Sequence, residues 1–179
     1  IPKKYRKFEK LHTGENYSNT SKELFEAIEN CHTLQRWEAI GQWLLMFGMR
    51  GIYQADIPSI NDPRGNLAVL ENSKLPFKSK RVFYLFDVPS GSKRGGHALK
   101  TTFQILISLS GSFDLVLKDG QTETRVLLNN PTKGLLIPAM IWRELRNFSS
   151  GAVCLVLASE EYSEADYFRD WDEFIQNIP

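Results

Sequence analysis

The sequence GSKRGGHALKTTFQILISLSG occupies residues 91–111 and decides the fold of the chain. Its composition predicts two β-strands, Gly96–Thr102 and Gln104–Ser110, bounded by glycine-rich turns. Because side chains alternate across a strand, His97 and Leu99 are expected to point to the same face. The segment therefore predicts a pair of strands with a single histidine beside a leucine on one face.

The chain on either side of this segment reads as further short strands with turn signals at close intervals. Asp119-Gly120 is the strongest hairpin signal, and residues 163–175 predict a closing helix or turn. Because no helix separates the strands, they predict an antiparallel sandwich or barrel. The additional strands are Leu67–Glu71, Arg81–Asp87, Ser112–Lys118, Thr122–Leu128, Gly134–Ile137, Glu144–Phe148 and Val153–Ala158.

The first 57 residues have a different periodicity. Thr20 and Glu23 have the spacing of a capping box, and apolar residues follow at helical intervals as far as Phe47. This pattern predicts two helices, broken near residues 30–33 and ended near Gly48 or Gly51. We therefore expect a helical N-terminal extension over residues 1–57 and one β domain over residues 58–179.

Composition and charge narrow the function classes. Hydrophobic residues make up 42% and charged residues 24% of the 179 residues, and the formal net charge is +1. This balance gives no support for a nucleic-acid partner, and no apolar run reaches the roughly 20 residues of a membrane span. Cys154 lies in an apolar run and is predicted to be a buried free thiol, which favours a reducing cytoplasm. A cytoplasmic protein without nucleic-acid or membrane partners is therefore expected.

Residue intervals in the β domain resemble the two sequence frames of cupin barrels. The first frame matches at Gly91, His97, Leu99, Gln104 and Gly111, and the second at Gly134, Pro138, Arg143 and Asn147. The resemblance implies a mainly β fold, a cupin (RmlC-like jelly-roll) antiparallel barrel, with the helical extension in front of it.

The four positions that bind a metal in cupins are His97, Leu99, Gln104 and Arg143 in this chain. Arginine has no lone pair and repels a cation, so this set is not expected to hold a transition metal. We predict no metal and no other cofactor, and a pocket suited to an anion or a polar organic ligand.

Several separated motifs resemble the sugar 3,4-ketoisomerases, the WxcM-like cupins that act on dTDP-4-keto-6-deoxyglucose. Residues 62–67 and 80–84 match the opening of that family, and residues 166–172 match its end. The motifs between them are residues 94–100, 109–112, 134–138, 141–144 and 157–162. The resemblance covers residues 58–179 and leaves residues 1–57 outside.

This resemblance implies a metal-free isomerase that acts in deoxysugar biosynthesis for polysaccharides. It also implies that the protein is a homodimer and that its ligand is a dTDP-linked deoxysugar. The ketone moves from C4 to C3 through an enediol, which needs a base, an acid and a donor to the enolate oxygen. The family uses two histidines in a His-Ala-His-Lys strand for the proton transfers. In this chain the second histidine is replaced by Leu99.

The site residues follow from this comparison. His97 is the expected proton shuttle, and Tyr84 is a candidate second acid or base from a neighbouring strand. The expected substrate-binding residues are Arg64, Arg81, Arg94, Lys100, Gln104 and Arg143, because guanidinium groups fit phosphate oxygens and an amide can bind the sugar.

Leu99 leaves alternatives open. The leading interpretation is a slow or rerouted ketoisomerase, or a close relative that catalyses an altered reaction on a related sugar nucleotide. The alternative is a non-catalytic sugar-nucleotide-binding cupin that serves as a sensor or a docking subunit. A sugar 3,5-epimerase on the same barrel is a third, weaker hypothesis.

Overall fold

The computed structural model describes residues 44–45 and 52–178. In this part of the chain the elements are the strands β1 (Leu44–Leu45), β2 (Tyr53–Asp56), β3 (Ser59–Ile60), β4 (Leu67–Ala68), β5 (Arg81–Leu85), β6 (Arg94–Leu99), β7 (Gln104–Ser110), β8 (Phe113–Lys118), β9 (Glu123–Leu128), β10 (Lys133–Ile137), β11 (Trp142–Arg146), β12 (Val153–Ala158) and β13 (Tyr167–Phe168), and the helix α1 (Trp171–Gln176). Short 3-10 turns cover Asn72–Lys74 and Glu164–Asp166.

Two antiparallel sheets form the barrel. The first has the order β1-β2-β10-β7-β12-β5, and the second has the order β13-β6-β11-β8-β9. Strands β3 and β4 form a separate two-stranded sheet. Apart from the pairs β1–β2 and β8–β9, neighbouring strands of the two barrel sheets are not consecutive in the chain, which is the crossover pattern of a jelly roll.

The main core lies between the two sheets. Alternate residues of the strands point inward, as Phe113, Leu115 and Leu117 do along β8, and all three are completely buried. Each such side chain contributes about 1.5–3 kcal/mol of hydrophobic free energy. The same cluster includes Leu106, Val126, Leu128, Leu135, Ile137, Leu145, Cys154 and Val156.

Two smaller apolar clusters lie on the outer faces. On the six-stranded sheet, Ile105, Ile107, Leu136 and Leu157 are covered by Ile57 and Leu75. On the five-stranded sheet, Phe174 of α1 packs with Ala98, Trp142 and Phe168. Helix α1 is capped by the Asp170 side chain, which accepts a 2.9 Å hydrogen bond from the Glu173 amide. The helix therefore closes the C-terminal end of the chain against the barrel.

The β architecture predicted from the sequence is confirmed, and β7 and β12 have the predicted bounds. The Asp119-Gly120 hairpin joins β8 to β9, with Gly120 at φ +91° and the Asp119 carboxylate accepting from the amides of Gln121 and Thr122. The predicted closing segment contains β13 and α1. Cys154 is a buried free thiol, and burial raises its pKa to about 12.

The predicted helical N-terminal extension is not supported. Residues 44–45, assigned to the second helix, form β1 and pair with β2, and β2 itself pairs with β10. The sheet therefore includes residues before position 58, because β2 supplies a strand next to β10 that the sequence pattern did not reveal. The helices predicted over the rest of residues 1–57 lie outside the described residues.

Candidate active site

His97 lies on β6 and points into the barrel. Its cross-strand partner on β11 is Arg143, and cross-strand partners share a face of the sheet. The ring of Tyr167, from β13, lies with its centroid 4.9 Å from the imidazole centroid. Leu99 follows two residues later on the same face and is completely buried. The imidazole is therefore a proton-carrying group of the inner wall, next to an aliphatic side chain.

The surroundings of His97 keep its imidazole neutral. Burial and the positive charge of Arg143 lower the pKa of His97 from 6.5 to about 4, against the opposing effect of a backbone hydrogen bond to Gly95. A neutral imidazole has one nitrogen free to accept a proton. At neutral pH His97 can therefore act as a base, although a weaker one than the near-neutral histidine expected for a shuttle.

Arg143 is buried in the barrel with only 1% of its surface exposed. Its Nη1 donates a 2.9 Å hydrogen bond to Oε1 of Gln104, and its Nε and Nη2 donate to the carbonyl of Ile141 at 3.1 and 2.6 Å. A longer bond from Nη2 reaches the Pro138 carbonyl at 3.4 Å. Burial lowers the pKa of Arg143 to about 10, so the side chain stays cationic at neutral pH. Neutral oxygens thus accept hydrogen bonds from most of the guanidinium N–H groups. One N–H of Nη1 is not used by these bonds.

The side chains at the cupin metal positions do not fit a metal ion. Only His97 offers a nitrogen lone pair, while the oxygen of Gln104 already accepts from the cationic Arg143. Within residues 44–45 and 52–178, no group of three or more His, Cys, Asp or Glu side chains is arranged to hold a metal. At one of the four positions Arg143 carries a fixed positive charge and offers no lone pair to an ion.

Arg81 lies on the inner face of β5, in the same row as Gln104. Ala158 on β12 is the cross-strand partner of both Arg81 and Gln104, so two strand spacings, about 10 Å, separate them. The Arg81 guanidinium packs against the rings of Phe83 and Tyr162 at 5.2 and 5.6 Å. Its Nε is buried without a hydrogen-bond partner. Such a donor is costly to leave unpaired, so it is suited to a ligand oxygen.

The rim segment, residues 162–169, forms the edge of the site beside Arg81 and His97. Glu164 accepts hydrogen bonds from Arg169 and from the Tyr162 hydroxyl, and these bonds lower its pKa to about 2. The Arg169 guanidinium also lies 4.5 Å from the ring centroid of Tyr167. None of these residues is a predicted site residue, although residues 166–172 are among the motifs that carry the resemblance.

The structure describes no contact between His97 and the remaining sequence-predicted residues, Tyr84, Arg64, Arg94 and Lys100. Tyr84, the candidate second acid or base, is 60% exposed on the outer face of β5, opposite to the face that carries Arg81 and Phe83. Arg64 pairs with Asp62 in solvent, and Arg94 is exposed at the start of β6. Lys100 donates a 2.8 Å hydrogen bond to the Ala165 carbonyl and lies over the ring of Phe168. Lys100 therefore fastens the rim segment to β6.

No helix among residues 52–178 is long and apolar enough to cross a bilayer.

Sequence comparison relates this chain to sugar-modifying isomerases. The family model described as FdtA: WxcM-like, C-terminal matches residues 50–178. A curated relative, the TDP-4-oxo-6-deoxy-alpha-D-glucose-3,4-oxoisomerase of Aneurinibacillus thermoaerophilus, is 43% identical over 120 residues. The match covers 66% of this chain and 86% of that protein.

Solved structures of similar fold include 3,4-ketoisomerases. The WlaRB TDP-quinovose 3,4-ketoisomerase of Campylobacter jejuni is 45% identical with a TM-score of 0.69, covering 72% of this chain and 100% of that one. A mutant of the 3,4-ketoisomerase QdtA of Thermoanaerobacterium thermosaccharolyticum, in complex with TDP-4-keto-6-deoxyglucose, is 37% identical with a TM-score of 0.71. That match covers 73% of this chain and 95% of the other.

Proposed function

Because this chain belongs to the FdtA, WxcM-like family, we propose that it is a TDP-sugar 3,4-ketoisomerase, which moves the ketone of a TDP-linked 4-keto-6-deoxyhexose from C4 to C3. The observation that carries the proposal is the pairing of a neutral His97 with the buried cation of Arg143 on one inner wall of the barrel. This pair supplies a base and a positive charge, the two requirements of an enolising step.

His97 has the central chemical role in this proposal. The imidazole removes the proton from C3 and returns it to C4, so one residue on one side of the sugar ring serves both carbon atoms. Negative charge develops on the ketone oxygen as the enediol forms. The unused Nη1 hydrogen of Arg143 is the donor we assign to that oxygen, since a fixed donor in a dry site stabilises developing charge strongly.

Arg81 is the group we assign to the diphosphate of the nucleotide. Its guanidinium has a buried Nε without a partner and lies about two strands from Gln104, at the same level of the barrel. Phosphate oxygens match the fork of N–H donors on a guanidinium. The amide nitrogen of Gln104 is free to bind a sugar hydroxyl, because the described hydrogen bonds use only its oxygen.

A non-catalytic sugar-nucleotide-binding cupin is the second candidate, favoured by one observation. Leu99 is completely buried at the position of the family's second histidine, and a leucine side chain moves no proton. In this alternative Arg81, Gln104 and Arg143 still bind the nucleotide sugar, and the absence of turnover follows from Leu99.

A homodimer is part of the proposal. Among the described residues, strand β5 is an edge of the six-stranded sheet. Val82 and Tyr84 on this strand and Phe86 just after it are 59%, 60% and 57% exposed. An exposed apolar edge is unfavourable in a monomer, and a second copy of the chain would bury it. Light scattering of the natural chain should give twice the mass of one chain. The double variant Val82→Lys/Phe86→Lys should give the mass of a single chain. Leu127→Lys, a change at an exposed leucine on β9, is the matched control.

The deciding experiment is proton NMR of the protein with TDP-4-keto-6-deoxyglucose in deuterated water. An isomerase forms a 3-keto product and introduces solvent deuterium into the ring, and His97→Asn should abolish both. Leu99→His should raise the rate by about 10²-fold if the missing histidine limits turnover, whereas Leu99→Gln should not.

Two results would change the assignment. Binding of TDP without turnover, with turnover appearing only in Leu99→His, identifies a binding protein derived from an isomerase. Absence of both binding and turnover in all variants contradicts the proposed substrate class.

A further inference from the structure

Strand β13 brings Tyr167 directly opposite Leu99. The two residues are cross-strand partners, and the next pair is Phe168 with Ala98. Cross-strand partners lie on one face with Cβ atoms about 4.5–5.5 Å apart. Since Leu99 points into the barrel, Tyr167 must do the same, while Phe168 packs outside with helix α1. A phenol side chain therefore lies beside position 99, where this chain has a leucine in place of the family's second histidine.

The Tyr167 ring belongs to the same group of side chains as His97 and Arg143. Its centroid lies 4.9 Å from the imidazole centroid, and the Tyr167 side chain is close enough to the Arg143 guanidinium to act on it electrostatically. Arg169 lies 4.5 Å from the ring centroid, and the ring of Tyr162 lies at 5.7 Å. Within residues 52–178, the Tyr167 hydroxyl has no hydrogen-bond partner, so it is available to a ligand.

Its neighbour Asp166 holds Tyr167 in place. The Asp166 carboxylate accepts hydrogen bonds from the Thr101 amide and hydroxyl, both at 2.8 Å, and from the Thr102 hydroxyl at 2.6 Å. The Asp166 carbonyl accepts a further 2.8 Å bond from the Lys100 amide. Thr102 is 1% exposed, so part of this network is shielded from water. The rim segment is thus fixed at the residue before Tyr167, which fits the fixed geometry that proton transfer needs.

We propose that Tyr167 is a catalytic residue of this chain, the phenol that carries protons between the two sugar oxygens in place of the histidine missing at position 99. The inference rests on the proposed ketoisomerase function and adds a residue to it. It assigns the carbon-bound proton to His97 and the oxygen-bound protons to Tyr167.

The steps balance without any further reactant. His97 takes the C3 proton, the C–H electron pair forms the C3–C4 double bond, and the carbonyl pair moves to O4, which takes the Tyr167 proton. The phenolate then removes the O3 proton as the C3–O3 double bond forms, and C4 takes the proton held by His97. Both side chains end in their starting forms, and the sugar has exchanged its C4 ketone for a C3 ketone.

The test is Tyr167→Phe, which removes the hydroxyl and keeps the ring that packs against His97. Formation of the 3-keto sugar at saturating substrate should fall about 10²-fold or more. The dissociation constant for TDP should change by less than about threefold, because the loss is expected in kcat. Exchange of deuterium into C3 of recovered substrate should fall less than product formation, since His97 is intact.

A second variant separates proton transfer from packing. Adding Leu99→His to Tyr167→Phe should restore the rate to within about tenfold of Leu99→His alone, because a histidine can carry the oxygen-bound protons again. Full turnover in Tyr167→Phe overturns the inference, as does a double variant that binds TDP and stays as slow as Tyr167→Phe. Loss of turnover in Tyr84→Phe, with Tyr167→Phe active, would overturn it in favour of the other tyrosine.

The inference and the proposed function fail in different ways. An inert natural chain that becomes active with Leu99→His overturns the role of Tyr167 and leaves the substrate class intact. A chain that neither binds TDP nor turns over with any of these changes contradicts the proposed function itself, and the role of Tyr167 with it.

Discussion

The side chains of Arg143 and Gln104 join the two sheets of the barrel through a 2.9 Å hydrogen bond from Nη1 to Oε1. Arg143 lies on β11 of the five-stranded sheet and Gln104 on β7 of the six-stranded sheet, and both are almost completely buried. A cation with fixed partners thus lies at a position where the cupin frame has a metal ligand. The remaining bonds of Arg143 go to backbone carbonyls, so the charge is held in the wall without a carboxylate partner among the described ion pairs.

This bond predicts strong coupling between the two residues. Arg143→Met should lower the free energy of unfolding by about 1–3 kcal/mol, since the oxygen of Gln104 loses its donor in a buried site. Gln104→Leu should do the same from the other side. In the double variant Arg143→Met/Gln104→Leu the loss should be smaller than the sum by about 1–3 kcal/mol. Urea unfolding of the four proteins measures this difference, and additive losses would show that the bond does not contribute to stability.

The pKa of His97 predicts how stability depends on pH. The pKa is about 4 in the folded chain and near its ordinary value of 6.5 in the unfolded chain. Between these pKa values the unfolded state binds more protons than the folded state. The contribution of His97 to the free energy of unfolding is therefore complete above pH 6.5 and is lost as the pH falls toward 4. The difference between the two pKa values corresponds to a change of roughly 3 kcal/mol in the free energy of unfolding.

Chemical denaturation of the natural chain and His97→Asn between pH 7.5 and 4.5 tests this prediction. The natural chain should lose about 2–3 kcal/mol more than the variant over that range. Parallel stability curves would mean that His97 titrates normally in the folded protein. The same pKa predicts that kcat/KM, if limited by neutral His97, is maintained down to about pH 5.

Arg81 should contribute to binding far more than to stability. Because its Nε has no partner, Arg81→Met removes no intramolecular hydrogen bond at that atom and keeps much of the aliphatic contact with Phe83 and Tyr162. The affinity for TDP should fall about tenfold or more, since a charge-assisted bond is worth about 1.5–3 kcal/mol.

Arg125→Met is the matched control for this change. Arg125 is exposed on β9 and pairs with Asp114, away from the barrel interior. Titration calorimetry with TDP should show an affinity loss for the Arg81 variant and none for the Arg125 variant. Equal affinities in the natural chain and in Arg81→Met would remove Arg81 from the nucleotide site.

The residues of the inner wall could be predicted from the sequence because the cupin frame fixes the intervals between them. Side chains alternate between the two faces of a strand, so these intervals determine which residues share a face. His97, Gln104 and Arg143 keep those intervals, and the structure brings Arg143 to both of the others. The metal positions could be judged from residue chemistry alone, because arginine and leucine offer no ligand atom.

The outer parts of the site were less predictable. In the β5 sequence Arg-Val-Phe-Tyr-Leu, all four residues after the arginine suit a strand, so the pattern does not say which face is buried. The structure places Arg81 and Phe83 inside, which sends Tyr84 outside. Strand β13 has two residues, too few for a period, and its position depends on hydrogen bonds to Thr101 and Thr102, which are 65 and 64 residues from Asp166.

Those hydrogen bonds predict that Asp166 acts on catalysis through the position of Tyr167. Asp166→Ala leaves the buried hydroxyl of Thr102 without its acceptor, and the free energy of unfolding should fall by about 1–3 kcal/mol. Asp166→Asn keeps an oxygen acceptor and should lose less of the free energy of unfolding.

If Asp166 positions the tyrosine, turnover should fall in Asp166→Ala with little change in the affinity for TDP. Asp166→Asn should keep much of the turnover of the natural chain. Adding Asp166→Ala to Tyr167→Phe should then cause no further loss of turnover, because the positioned hydroxyl is already gone. Independent losses in the double variant would instead mean that Asp166 supports the barrel as a whole, and steady-state kinetics with urea unfolding of the same variants would distinguish the two.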